Sequence, residues 1–400
     1  MKKRIIIAIL LLVSLVLLAD ETYPFLWNYS ARNVAIGYSG GIADIWASNS
    51  ANSSGNPALL GYQNGVSYRF SHGDHFMTEL EESVFSFGYK GVGIALPMPS
   101  YKNNFGLVHY YYFTPLLSIF FGPITDEIGY YEISRKYSLG INVMEFMSNF
   151  GNSSQKKRPF EISLGISNIE NTAKYKIVTY APQANFTTQD YGANLSVDPF
   201  QLFNLDSVFD VGISFGIQFI NPAKIKYRID IDNDLDGQLN EDPDDGIDND
   251  GDGYVDEDDV EDKWTAFYDT RMAAAVHAEL PLKKISNAPP AYFLYHFSRN
   301  FLSLTLNAET GNDYECLGGE ISLLDIFYYR TGYYEEYNSE NMVADLKTIT
   351  SGWGVRLNYE DYISLEYNAT SIDEGGFFFP FEMYEIGLNV NLMKLFEKSK

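Results

Sequence analysis

Cysteine is almost absent. Cys316 is the only one in 400 residues, so no intrachain disulfide can form and no multi-thiolate zinc site can be built. Basic residues are few. Lys and Arg number 28 against 53 Asp and Glu, a net charge of −25, which argues against a nucleic-acid partner because binding needs clustered cations. Beyond the extreme N-terminus no apolar run approaches the ~18 residues of a spanning helix, which excludes a polytopic helical membrane protein. No Walker A loop or dinucleotide fingerprint occurs, and helical periodicity is scarce. Apolar residues make up 46% of the chain, with 31 Tyr and 28 Phe. That is ample material for a folded protein and excludes disorder as the dominant state.

The first residues read as an address. Lys2, Lys3 and Arg4 precede an apolar stretch from Ile5 to Leu18, and Ala19 then meets the acidic pair Asp20-Glu21. This is the layout of an export signal over residues 1–19, too short for a comfortable membrane span. No cysteine follows it, which argues against a lipoprotein.

The dominant pattern thereafter is alternation. Val211, Ile213, Phe215, Ile217 and Phe219 alternate with Gly212, Ser214, Gly216 and Gln218. Trp353, Val355, Leu357 and Tyr359 alternate with Gly354, Arg356, Asn358 and Glu360. Tyr384, Ile386, Leu388 and Val390 do the same, and shorter versions recur along the chain. A period of two places one set on each face of a strand. A soluble sandwich hides the apolar face between two sheets, whereas a membrane barrel turns it to lipid and lines its lumen with the polar one. Export, the lack of a domain linker from Val66 onward, and aromatic runs such as Tyr110-Tyr111-Tyr112-Phe113, Tyr328-Tyr329, Tyr333-Tyr334 and Phe377-Phe378-Phe379 favour the barrel. Such runs would form aromatic girdles at the lipid interfaces.

The segment before the strands is distinctive. Ser30-Ala31-Arg32-Asn33 leads into Gly37, Gly40 and Gly41, then a run of small residues, then Asn56-Pro57-Ala58. Further on stand Asp190-Tyr191-Gly192-Ala193, the pair Gly318-Gly319-Glu320 and Tyr329-Arg330-Thr331-Gly332-Tyr333, and Ser351-Gly352-Trp353-Gly354. In this order the motifs resemble the PorV/PorQ-like outer-membrane proteins, relatives of the FadL-type transporters. The resemblance implies an all-β fold: a transmembrane antiparallel β-barrel of about 14 strands over 65–400. It also implies a hatch-like segment over 20–64, packed near or inside the lumen. Arg32, Gly37, Gly40, Gly41, Asn56, Pro57 and Ala58 are the candidate gate residues. The acidic insert and the extension from Lys394 to Lys400 depart from the family pattern.

The insert, 230–262, holds 17 acids and no base, more than half of the net charge. Asp232, Asp234 and Asp236 precede Gly237, and Asp248, Asp250 and Asp252 precede Gly253. Both match the start of a calcium loop, in which alternate oxygens converge on a hard cation and glycine makes the sharp turn. Gln238 and Tyr254 would each offer a carbonyl, and Asp256 and Asp259 further oxygens. Pro243 stands at the twelfth position of the first loop, so that loop is no EF-hand. The arrangement is similar to thrombospondin type-3 loops and predicts bound Ca²⁺ in a loop between a strand ending near Tyr227 and one beginning near Trp264.

Other signals are weak. Gly37-Tyr38-Ser39-Gly40-Gly41 matches the hydrolase elbow, but the chain lacks the βα alternation that motif needs. His72 and His75 flank an expected turn at Gly73-Asp74, Cys316 reads as an apolar filler, and Arg69 and Arg356 are expected to face inward and pair with acids such as Glu360. The sequence therefore predicts a non-enzymatic outer-membrane barrel. Its role would be surface-protein secretion or attachment of a type IX-like kind, or passage of hydrophobic or small solutes. Its partners would be outer-membrane lipid, secretion components or solutes, with no nucleic acid. The alternative is a secreted, soluble, calcium-binding β-rich adhesion protein.

Overall fold

The computed structural model describes residues 30–48, 55–75, 78–97, 107–112, 129–150, 158–176, 183–203, 209–229, 261–285, 297–311, 314–336, 346–360, 362–373, 381–391 and 394. The expected export signal and all of the acidic insert but 261–262 lie outside them.

The alternating segments form strands. These are β1 Gly65–His75, β2 Thr78–Tyr89, β3 Val92–Pro97, β4 Leu107–Tyr112, β5 Gly129–Asn142, β6 Phe160–Lys176, β7 Gln183–Val197, β8 Asp210–Ile229 and β9 Glu261–Pro281. Six more follow: β10 Asn300–Thr310, β11 Tyr314–Leu323, β12 Phe327–Glu336, β13 Leu346–Tyr359, β14 Ile363–Asp373 and β15 Phe381–Val390. All pairings are antiparallel, mostly between chain neighbours, and β1 pairs with both β2 and β15. Among the described residues the sheet is therefore closed and leaves no edge. β3 and β4 share one position: β2 pairs with β3 through Val84–Tyr89 and with β4 through Thr78–Glu81, and β5 takes up both on the far side. Fifteen segments thus make 14 positions around the barrel.

The polarity decides the class. Leu317, Trp353, Leu357 and Tyr329 are 52–58% exposed on the outside, whereas Ser322, Arg330, Asn368 and Glu366 are at most 1% exposed within. A soluble sandwich would show the reverse, so the soluble adhesion alternative fails. This is a transmembrane β-barrel, with every backbone ladder satisfied inside the wall and an apolar surface turned to lipid.

The girdle expectation holds only by halves. Tyr329 faces outward at 58% exposure, while Tyr328 and Tyr334 are buried in the lumen. Adjacent residues of a strand point to opposite faces, so a Tyr pair cannot serve one interface. A second correction concerns His72 and His75. Both belong to β1, with His72 opposite Glu81, and the expected turn at Gly73-Asp74 is strand.

Gly65 and Val390, the two ends of the barrel wall, lie at the same rim, since Val66 pairs with Val390. The strands flanking the acidic insert end at Ile229 and begin at Glu261, close to expectation. Antiparallel order puts that connection at the opposite rim, on the longest strands of the barrel.

Candidate functional site: the lumen and its hatch

The barrel is not empty. Residues 30–43 and 55–61 are almost wholly buried inside it, as a short helix Ala31–Ala35 and a 3₁₀ turn Pro57–Tyr62 joined to the wall. The 3₁₀ turn has a local cause. Pro57 sits at the first position, where its missing N–H is no loss, and the Asn56 side chain caps it by accepting from Ala58 N at 3.0 Å. Gly37 and Gly40 have φ of 70° and 90°, the left-handed backbone that glycine allows cheaply. They carry the chain off the helix and around the wall.

The path of this hatch follows the strands in reverse order. Ala35 meets β13 at Gly352, Ile36 and Gly37 meet β12 at Gly332, and Ile36 meets β11 at Gly318. Ile42 then meets β8 at Gly216, Asn56 meets β7 at Gly192, Pro57 meets β6 at Gly165, Leu60 meets β3 at Gly93 and Gln63 meets β2 at Gly88. At each of these glycines a Cβ would overlap hatch atoms, so only a bare backbone admits the segment at this distance. On one side the glycines are paired directly across the sheet: Gly65 with Gly88, Gly88 with Gly93, Gly93 with Gly140, Gly140 with Gly165, and Gly165 with Gly192. This unbroken row makes a trough in which residues 56–63 lie.

Hydrogen bonds hold the hatch in the trough. Asn56 Nδ2 donates to Ile42 O at 3.0 Å, Ala193 O at 3.2 Å and Ile217 O at 3.4 Å, tying both hatch halves to β7 and β8. Gln63 Nε2 donates to Ser86 Oγ at 2.6 Å and Ser67 Oγ at 3.1 Å. Tyr62 donates to Asn194 Oδ1 at 3.1 Å, and burial pushes its phenol pKa up. Lys136 Nζ donates to Gly55 O at 2.9 Å and pairs with Asp190 at 2.8 Å.

On the other side, where Gly318, Gly332 and Gly352 admit the hatch, charges are added. Arg32 is buried and bridges three acceptors. Nη2 reaches Asp44 Oδ2 at 2.6 Å and Glu320 Oε1 at 3.2 Å, and Nε reaches Glu320 Oε2 at 3.0 Å. Burial works against this charge, but Glu320 and then Asp44 outweigh it and hold the guanidinium pKa above its ordinary value. Glu320 also accepts from Arg330, its partner across the β11–β12 ladder. Arg330 Nη1 donates to Asn368 Oδ1 at 2.7 Å, and Asn368 Nδ2 donates to Glu366 and to Glu385, each at 2.9 Å. Arg69 joins the far end through Glu385, at 3.9 Å, and also pairs with Glu82. Buried charges of both signs are interleaved, which compensates their removal from bulk solvent.

Every candidate gate residue therefore lies in the lumen. Arg32 anchors the charged side, Asn56, Pro57 and Ala58 lie on the glycine row, and Gly37, Gly40 and Gly41 form the bend between. Arg69 and Arg356 face inward and pair as expected, but the acid opposite Arg356 is Glu366, at 3.1 Å, and Glu360 stands in the turn after β13. Ser39 Oγ donates to Ile36 O at 2.6 Å in a loop that follows a helix, which is not the strand–turn–helix of a hydrolase elbow. Cys316 is buried beside Tyr314 and Tyr334, a filler. The ten calcium candidates, Asp232 to Asp259, lie outside the described residues. Residue-by-residue reading missed Asp44, Glu366, Asn368 and Glu385, and quoted Arg330 only within its motif. For the last three missed residues a usable signal was present: a lone charge or amide at a polar-face position of a strand.

The class is thus a transmembrane barrel with a luminal N-terminal hatch. No family model and no curated protein matches the chain. Among solved structures it is similar to the Pseudomonas putida toluene transporter TodX (8% identity, 91% of this chain and 98% of that one, TM-score 0.45). It is also similar to a Pseudomonas aeruginosa FadL homologue (9%, 90% and 98%, 0.44) and to the translocator domain of the autotransporter NalP from Neisseria meningitidis (7%, 82% and 86%, 0.37). At these scores the likenesses decide nothing about this chain, whose barrel rests on its own strand pairing and polarity.

Proposed function

We propose that the protein is a non-enzymatic outer-membrane barrel that passes small solutes, and that residues 30–63 shut its lumen at rest and must shift for passage. The observation that carries this is the hatch itself, bedded on glycines along its path and bonded to the wall at both ends. Such a segment inside a closed barrel blocks the one aqueous route the fold provides. The lumen is lined by Ser, Asn, Thr and paired charges, which suits a polar solute; a hydrophobic one would leave those groups undersolvated on its way through. The test is conductance in planar bilayers. The intact protein should show rare, brief openings, and a variant lacking 30–63 should conduct steadily while still showing heat-modifiable gel migration. Equal conductance in the two would end the reading.

A second reading is a platform for surface-protein secretion or attachment, of a type IX-like kind. It is favoured by the position of the acidic insert, on the longest hairpin at the rim away from the chain ends. In this reading the loop faces the exterior, as long loops of such barrels do. Asp232, Asp234, Asp236, Asp248, Asp250, Asp252, Asp256 and Asp259, with the carbonyls of Gln238 and Tyr254, hold Ca²⁺ there. So many like charges repel one another without a cation. Millimolar calcium should therefore protect 230–262 from protease and chelator should expose it. Equal cleavage in both would remove the calcium site.

A further inference from the structure

At the rim where β1 begins and β15 ends lies a cavity of about 230 Å³, walled on one side by the hatch at Trp46, Ala47, Ser48 and Asn64 and on the other by β13, β14 and β15. It is smaller than the ~300–1,000 Å³ of pockets for drug-sized ligands, so its occupant is of about monosaccharide size. The chemistry of the lining narrows the class. Four asparagines line it, Asn64, Asn358, Asn389 and Asn391, together with Ser364 and Tyr362; the Asn391 Oδ1 also accepts from Lys394 N at 3.2 Å. Carboxamides carry both donors and acceptors and so match groups that are donor and acceptor at once. Asn389 Oδ1 is buried and has no hydrogen-bond partner, although its Nδ2 donates to Ser364 Oγ at 3.0 Å.

The one cation in the lining, Arg356, is already committed. Its Nε and Nη2 reach Glu366 Oε2 at 3.2 and 3.1 Å, so an anion would find no uncompensated positive charge there. An apolar ligand would strip water from the carboxamides and return no hydrogen bonds. Trp46 borders the cavity while its ring lies against Gly212 of β8 and stacks on His277 of β9, with ring centroids 5.1 Å apart. Carboxamides on both walls, with the one cation already paired, suit a neutral molecule with a rim of hydroxyls.

We propose that this cavity binds a neutral, hydroxyl-rich solute of monosaccharide size, held between the hatch and the wall. The site is independent of passage: a barrel that never opens can still hold such a ligand, and one that opens can ignore it. The test is calorimetric titration of the full-length protein in detergent with D-glucose, N-acetylglucosamine and myo-inositol, and with acetate and toluene as the charged and apolar arms. At least one polyol should bind saturably. Asn358→Leu and Asn391→Leu should each weaken that binding about tenfold or more, since each leaves polar groups of the ligand unpaired. Heat-modifiable migration reports whether the variants fold, and amide-exchange protection of 46–48 and 362–366 by the bound polyol locates the site in the unmodified chain. No saturable binding of any polyol, unchanged affinity in both folded variants, or protection elsewhere overturns the proposal. Saturable binding of acetate or toluene in place of the polyols overturns the ligand class.

Discussion

The two halves of the inner wall hold the same segment by opposite means. From β1 to β7 the wall meets the hatch with a directly paired row of glycines and with small hydroxyls such as Ser67, Ser86 and Ser138. From β11 to β13 the glycines 318, 332 and 352 also admit the hatch closely, but this side adds a charged contact: Glu320 bonds the buried Arg32, and Arg330, Glu366, Glu385 and Arg69 form a network behind it within the wall. The first half works by close backbone approach. Dispersion and amide hydrogen bonds are short-ranged and lost together once a Cβ intervenes. The second works by interleaved charge, which tolerates small shifts but not the loss of one member. If the hatch moves as proposed, the β1–β7 side would be its fixed bed and the Arg32–Glu320 contact its catch.

The largest test of this contrast is to fill the trough. Gly165→Val and Gly192→Val place a side chain where Pro57 and Asn56 lie. Both should form barrels by heat-modifiable migration yet expel residues 55–63, seen as new protease cleavage there and steady bilayer conductance. A normally protected hatch in both variants would refute the fixed bed.

Next is the catch. Arg32→Met leaves Asp44 and Glu320 without their shared cation, at a cost of about 3–5 kcal/mol. It should raise amide exchange in 30–44 while 56–63 stays protected, and Arg32→Lys should restore part of the protection. Loss of protection across both stretches would show that the halves are not separable. A smaller effect, about 1–3 kcal/mol, is expected of Asn56→Ala, because the carbonyls of Ile42, Ala193 and Ile217 lose their shared donor. Thermal melting of the hatch signal in detergent reads it. The smallest is Gln63→Leu, which removes two hydrogen bonds to serines, about 1 kcal/mol each; a loss as large as that of Arg32→Met would contradict the ranking.

The wall was legible in the sequence because its signal is local. Val211 to Phe219 and Trp353 to Tyr359 announce strands through a period of two that needs no knowledge of neighbours. Asn56-Pro57 was legible for the same reason, since a cap and its turn lie within three residues. What was not legible depends on register. The motif order puts Glu320 and Arg330 on the two arms of one hairpin, but nothing near Glu320 in sequence says that Arg32, 288 residues away, bonds it from the hatch. Arg356 illustrates the error this causes: Glu360 lies closer in sequence, but the ladder puts Glu366 across from it. The glycine row was hidden likewise, because Gly88, Gly140 and Gly192 become one feature only once the strands are aligned.

The most direct measurement joins hatch to wall by a cleavable cross-link at a contact between side chains. Tyr62 Oη lies 3.1 Å from Asn194 Oδ1, so Tyr62→Cys with Asn194→Cys, in a Cys316→Ala background, should be joined by a short bifunctional thiosulfonate. If residues 30–63 occupy the lumen and close it, the cross-linked protein carries the bond and is silent in bilayers, and reductant brings back the openings of the unlinked barrel. Failure of the bond to form in a folded barrel, or the same conductance with and without it, would contradict the account.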